Sequence, residues 1–284
     1  MIERSTLPKT RSAQTLEVST RSFYAWKTKP APIDTDAQVR KEIQSIALEF
    51  PKYGYRRIMH ELRRRGKQIN HKRIRRIMKE EKLIVKRKKR KPKTTQSNHS
   101  LPKHPNLIKD MIPFGINQVW VADITFIRLQ REFVYLASIM DLYSRRCVGY
   151  ALSRNPDTYL TLDALNRAIA LRGKTAIQGC IHHSDQGVQY AAAAYTQALH
   201  ACDMQASMGE VGNSYENAHA ESFFKTLKNE EVWMNEYETM EDVYHNIMRF
   251  IEEVYNKKRL HSSIGYMPPI EFEQKEVLNI SIGA

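Results

Sequence analysis

Apolar residues recur at helical spacing through the first third of the chain and give way to strand-like runs after Asn117. Between Ala37 and Leu83 three helices are predicted. Val39, Ile43, Ile46 and Ala47 mark the first apolar face, Ile58 and Leu62 the second, and Ile74, Ile77 and Met78 the third. Gly66 breaks the chain after the second helix, and Asn70 is placed to cap the third. Upstream, Ser12 to Trp26 predicts two short helical pieces broken near Val18, with Ser19 as N-cap for Thr20 to Lys27. This is the pattern of the back half of a helix-turn-helix, and the chain begins too late to supply the front half. Lys29 to Asp34, which contains prolines, is expected to be a linker.

Beyond Asn117, Gln118 to Leu129, Phe133 to Met140 and Cys147 to Leu152 are rich in β-branched and aromatic residues, which predicts three strands in an antiparallel meander. A helix over Thr158 to Leu171, a strand over Gly179 to His183, a helix over Ala191 to Ala201 and a strand over Met204 to Met208 follow. Two helices, Asn217 to Glu231 and Glu241 to Lys258, are expected to close the chain. The order is that of an α/β domain with a mixed sheet.

Charge divides the chain along the same line. Residues 1–110 hold 30 Lys and Arg against 10 Asp and Glu, a net +20, while residues 111–284 hold 15 against 21, a net −6. A basic unit joined to a mildly acidic one fits a DNA-docking module fused to an enzyme, because neutralised phosphates release counterions and supply affinity. The third helix carries Lys72, Arg73, Arg75, Arg76 and Lys79 opposite its apolar stripe, as a recognition helix does, although a solvated basic helix in a small bundle has the same pattern. Arg56, Arg57, Arg63, Arg64 and Arg65 on its neighbour favour the DNA reading. Lys86 to Lys93 is almost wholly cationic and opens a basic linker extending to about Pro113. Cys147, Cys180 and Cys202 form no CxxC pair, so neither a disulfide framework nor a zinc knuckle is expected. No apolar run reaches the roughly 18 residues of a membrane span, and a cytoplasmic protein is expected.

Three carboxylates carry the candidate chemistry. Asp123 lies in the middle of the first strand among residues that favour burial, and Asp185 directly follows the fourth strand, at a carboxyl end where α/β proteins place their sites. Glu221 is on the helix after the fifth strand, with Lys225 and Lys228 at i+4 and i+7 on the same stripe. Any one of them alone is most simply a cap, a surface charge or a salt bridge. Together they match the oxygen preference of hard divalent cations, and two ions about 4 Å apart can activate an attacking oxygen and stabilise a leaving one. His182 and His183 face opposite ways on a strand, so at most one points at the site, and His183 is given a supporting role.

Asp185 and Glu221 have 35 residues between them, the spacing of the DDE integrase and transposase superfamily. The chain resembles the bacterial insertion-sequence transposases of the IS-three family, specifically their second-frame (OrfB) product. The resemblance runs through Tyr53-Gly54-Tyr55-Arg56-Arg57, the Asp123 strand, Asp141 to Arg146, His183 to Gly187, Asn217 to Lys228, and Tyr255-Asn256 with Arg259 to Ser263.

It implies an RNase H-like core with a mixed five-stranded sheet flanked by helices, preceded by a small all-α helix-turn-helix-like DNA-binding domain. It further implies a metal site of Asp123, Asp185 and Glu221 that holds two Mg²⁺ or Mn²⁺ ions, with Asn217 in support. Lys228 and Lys225, with Arg56, Arg57, Lys72, Arg73, Arg75 and Arg76, are the expected DNA contacts. The implied partners are terminal inverted repeats, target DNA, further copies of the chain, and the upstream-frame (OrfA) product or a frameshift fusion with it.

The expected boundaries are a partial helix-turn-helix and linker over 1–34, a helical DNA-binding domain over 35–84, a basic linker over 85–115, the catalytic domain over 116–274 and a tail over 275–284. Glu216 stands where relatives commonly carry Asp, and His219 where a small or apolar residue is frequent. The Tyr255 to Ser263 stretch ends a helix with Arg259 and His261, which either touch DNA or stabilise that terminus. A DNA-binding regulator without catalysis, or a nuclease without joining activity, are the alternatives.

Overall fold

The computed structural model describes residues 8–15, 17–28, 36–85, 104–209 and 218–283. The chain divides into two compact units, Met1–Gln44 and Ser45–Ala284. In the first, α1 (Lys9–Thr15) and α2 (Thr20–Thr28) pack through Ala13 and Phe23. Ser19 Oγ accepts the Ser22 N–H at 3.0 Å, the N-cap expected of it. Both the Lys29 to Asp34 linker and the Lys86 to Lys93 cationic run lie outside the described residues. Helix α3 (Ala37–Glu49) crosses the division between the units and buries Ile43 and Ile46.

The second unit begins with α4 (Tyr55–Arg64) and α5 (His71–Glu80), which bury Ile58, Leu62, Ile74, Ile77 and Met78. Gly66 turns the chain between them at φ +77°, a conformation that favours glycine, and Asn70 Oδ1 caps α5 by accepting the Lys72 N–H at 2.9 Å. This pair is fastened to the C-terminal part of its own unit. Tyr53 Oη accepts the Leu260 N–H at 2.8 Å, Arg57 Nε donates to the Leu260 carbonyl at 3.0 Å, and Arg64 forms a bidentate pair with Glu271 at 2.8 and 2.6 Å. His60 stacks on Tyr266 with centroids 3.7 Å apart.

The sheet is built from β1 (Val119–Arg128), β2 (Phe133–Asp141), β3 (Cys147–Ser153), β4 (Ile181–Ser184) and β5 (Gln205–Met208), in the order β3-β2-β1-β4-β5. The β1–β2 and β2–β3 pairs are antiparallel; β1–β4 and β4–β5 are parallel. Helix α6 (Thr158–Arg172) crosses from β3 to β4, capped by Asp157, whose side chain accepts the Leu160 N–H at 3.0 Å. Gly149 lets β3 lie directly against α6, since a Cβ there would stand 2.2 Å from the Ala164 carbonyl oxygen. The predicted helix over Ala191 to Ala201 is two pieces, α7 (Val188–Ala191) and α8 (Ala193–His200).

Strand alternation sorts β1 between two cores. Trp120 and Ala122 face α6, α7 and α8, while Val119, Val121 and Ile127 face α9 (Ala218–Glu230) and α10 (Met240–Arg249). The predicted helix ending at Lys258 is α-helical only to Arg249, and Phe250–Tyr255 continues it as a π-helix. The turns that follow it set Asn256 against β3, where its amide exchanges hydrogen bonds with the Cys147 backbone at 3.0 and 2.9 Å.

The expectation that two helices close the chain is corrected by a third, α11 (Pro269–Gly283), which runs through the region expected to be a tail. It is fixed by Glu273, a buried carboxylate held by Arg146 at 2.7 Å, by Ser144 at 2.6 Å and by Arg172. The sequence signal is faint because polar contacts rather than an apolar stripe anchor this helix.

Candidate active site

Asp123 and Asp185 are brought together by the parallel pairing of β1 and β4. Val121 is in register with His183, so two residues further along each strand direction the two acids stand side by side on the α9 face of the sheet. β4 ends at Ser184, which leaves Asp185 at the strand's carboxyl edge, where its Oδ1 accepts the Gly187 N–H at 3.0 Å. Gly187 is constrained by this turn, since a Cβ would lie 3.0 Å from Asp185 Oδ1.

Helix α9 supplies the rest. It packs across β1 through Ala220, Phe223, Phe224 and Leu227 and presents Glu221, Lys225 and Lys228 along another stripe. Lys228 Nζ lies over the Phe126 ring, 4.7 Å from its centroid, and Phe126 makes an edge contact with Phe133. Lys225 is exposed.

Electrostatics join these groups. Burial, then the charge of Asp185 and more weakly that of Glu221, push the Asp123 carboxyl up to about 7, against the Ile124 N–H and Lys228, which favour its anion. Lys228 itself is shifted down by burial and held up by Asp123. Two acids and one base therefore act on one half-buried carboxylate. Among the described residues no three His, Cys, Asp or Glu side chains stand close enough to hold a metal ion as they are placed here. The donor set nevertheless suits a hard divalent cation: all three groups are carboxylates, and the like charges that raise the proton affinity of Asp123 favour a cation there for the same reason.

His183 is fully buried one residue before the strand edge, with Nδ1 against Ser207 Oγ at 2.9 Å, and Ser207 Oγ also accepts the Leu107 N–H at 2.9 Å. His182 faces the opposite core and meets Tyr195 Oη through Nε2 at 2.9 Å. Asn217 and Glu216 lie outside the described residues.

The expected DNA contacts on the helical pair separate into two kinds. Arg56, Lys72, Arg75 and Arg76 are exposed, although Arg76 pairs with Glu80 at 2.8 Å, and Arg73 is half-buried. Arg57 is half-buried and holds the Leu260 carbonyl. Arg64 and Arg65 are engaged with Glu271, Glu61 and Glu49. None of the groups that perturb Asp123 belongs to α4 or α5.

Sequence reading passed over Tyr190 and Phe126. The Tyr190 hydroxyl is buried without a hydrogen-bond partner, and after burial and Tyr195 it is the charges of Asp123 and Asp185 that hold its proton. A tyrosine five residues after the acid gives no signal of this in one sequence; only the turn at Gly187 and the short helix α7 bring it back.

Residues 115–214 and 202–269 match two family models, each described as an integrase core domain, and residues 34–91 match an HTH-like domain. The chain is 37% identical over 267 residues to an insertion element IS600 uncharacterized 31 kDa protein of Shigella sonnei, covering 92% of this chain and 97% of the relative. It is 32% identical over 268 residues to the transposase InsF for insertion sequence IS3A of Escherichia coli strain K12, covering 92% of each. A transposase for insertion sequence element IS904 of Lactococcus lactis is 36% identical over 245 residues, covering 84% of this chain and 96% of the relative.

Proposed function

The chain belongs to the IS3 family of insertion-sequence transposases and acts in DNA transposition and integration as a polynucleotidyl transferase, and we propose that Asp123, Asp185 and Glu221 form its catalytic centre. The observation that carries this reading is the electrostatic action of Asp185, Glu221 and Lys228 on the half-buried carboxyl of Asp123.

The three carboxylates would hold one or two Mg²⁺ or Mn²⁺ ions. When bound, these supply activation of the attacking oxygen and stabilisation of the leaving oxygen. The chain's own contribution is position and charge. The register of β1 and β4 sets two of the acids beside each other, and α9, packed across β1, carries Glu221 on the side of their charge. Lys228, held between Asp123 and Phe126, directs its ammonium at the phosphate backbone of the bound strand.

The reaction is two successive phosphoryl transfers. In the first, water attacks the phosphorus at the element's end, the P–O3′ bond breaks and the element keeps a 3′-OH. In the second, that hydroxyl attacks a phosphodiester of the target, and the target's own 3′ oxygen leaves. The substrates are terminal inverted repeats and target DNA. The working complex holds more than one copy of the chain, and the upstream-frame product or a fusion with it supplies further recognition of the ends. The exposed cations of α5 fit DNA docking, and no helix among the described residues is long and apolar enough to cross a membrane.

The test is Mg²⁺-dependent nicking and strand transfer on terminal-repeat DNA. Wild type cleaves and joins, while Asp123→Asn and Glu221→Gln lose both activities by more than about 100-fold, beyond the 10–100-fold typical of residues that only support a metal ligand. Equal activity in the three proteins would sink the assignment.

A further inference from the structure

Helix α9 carries a third stripe besides the one that packs on β1 and the one that holds Glu221. His219, Ser222 and Thr226 recur along it at i, i+3 and i+7, and they line one wall of a cavity of about 240 Å³. The other walls come from far along the chain: Arg57 of α4, Arg145 from the turn between β2 and β3, and the segment containing Arg259, His261 and Ser263. Among the described residues no Asp or Glu lines it.

The cations of this cavity differ in what satisfies them. Arg259 is buried and bound bidentately to Glu230 at 2.8 Å, so it serves the fold. Arg57 spends its Nε on the Leu260 carbonyl, and no carboxylate among the described residues pairs with it or with Arg145. Arg145 sits at φ +65°, a backbone conformation uncommon for a side chain of its size, and directs Nη1 at His219 Nδ1. Its Nε is buried with no partner. His261 has a relative exposure of only 8% and gives its ring N–H to the Tyr255 backbone, so its Nε2 in the cavity wall is an acceptor and serves the fold rather than an anion.

Natural proteins rarely leave such atoms unpaired, and an unpaired buried polar group calls for an unseen partner. For the Arg145 donor that partner is an acceptor, and an anion suits it, because among the described residues the lining offers guanidinium donors, imidazoles and hydroxyls and no carboxylate.

We propose that this cavity is a phosphate-binding subsite that grips one phosphodiester of the DNA strand. The choice of a DNA phosphate rests on the catalytic reading above, since Ser222 follows Glu221 directly and the two sites flank one helix about 10–12 Å across. A strand lying at the carboxylates passes over α9 and reaches the cavity beyond it. Anchoring there fixes the strand's position relative to Asp123 without contributing to the chemistry.

Ser263 is an exposed residue of the lining and the natural place to block the cavity without disturbing the core. The binding of a fluorescein-labelled terminal-repeat duplex to the full chain, followed by anisotropy across a KCl series, reads the effect directly. Ser263→Glu is expected to weaken binding at least tenfold and to lower the slope of log affinity against log salt by about 1, the loss of one phosphate contact. Gln197→Glu, which adds the same charge at an exposed position of α8, is expected to bind as wild type does, and thermal melting checks that each variant is folded.

Wild-type affinity and slope in Ser263→Glu would overturn the proposal. So would a cavity that takes up only free anion: inorganic phosphate raising the melting temperature of wild type but not of Ser263→Glu, while both bind the duplex equally. Because the readout is binding, a wild-type protein that binds DNA but never cleaves it would count against the carboxylate centre and leave the subsite standing.

Discussion

Asp123 and Glu273 are both carboxylates withdrawn from water, and the protein treats them in opposite ways. Glu273 is surrounded by Arg172, Arg146 and Ser144, and these partners outweigh its burial and hold its carboxyl below the usual range. Asp123 has Asp185 and Glu221 for neighbours, with the Ile124 N–H and Lys228 to offset them, and burial and those acids raise its carboxyl to about 7. The first arrangement neutralises charge and fixes α11 to the turn after β2. The second gathers like charge around Asp123, which does nothing to hold the fold together and fits the proposed cation-binding role. The same contrast runs through the arginines: Arg57 and Arg64 of α4 and Arg65 just after it are engaged by internal partners, while Arg75 of α5 is exposed.

Removing the carboxylate from each site exposes this difference most sharply. Glu273→Ala leaves two guanidiniums without their shared partner and is expected to cost about 3–5 kcal/mol of stability, visible in chemical denaturation. Asp123→Asn, which abolishes activity if the assignment holds, is expected to leave the fold intact and to stabilise the metal-free protein at high pH. The sign follows from the shift. A carboxyl whose folded value lies above its unfolded one stabilises the fold while protonated and loses that contribution as pH rises from about 4 through about 7. The melting temperature of Asp123→Asn should therefore exceed that of wild type at pH 8 and match it near pH 4; a difference independent of pH would break the comparison.

A smaller effect separates the arginines. Arg75→Ala on α5 is expected to lower the salt slope of DNA binding by about 1 with little loss of stability. Arg64→Ala is expected to change stability, by at most about 1 kcal/mol for so exposed a pair, and to leave the slope unaltered. Equal slopes in both variants would remove the distinction.

The parts of this molecule that were legible in sequence are those written locally. Alternation and β-branched content located β1, β2 and β3 within one or two residues, and caps such as Ser19 and Asn70 marked helix starts. The three acids stood out because Asp123 interrupts an apolar strand and the other two lie at a strand end and on a helix. What one sequence did not show depends on distant partners. The Arg57–Leu260 bond spans 203 residues and gives an expected DNA contact a partner inside the fold. α11 was passed over because Glu273 rather than an apolar stripe anchors it, and Tyr190 gave no sign of lying near the acids.

The central claim is that Asp123, Asp185 and Glu221 hold the divalent ions of a DNA strand-transfer centre. It is tested most directly by calorimetric titration of Mn²⁺ into the full chain bound to terminal-repeat DNA, with wild type alongside Asp123→Asn, Asp185→Asn and Glu221→Gln. Saturable Mn²⁺ binding in wild type that is lost or weakened more than about tenfold in each variant is the expected result. Identical titrations in all four proteins would contradict it.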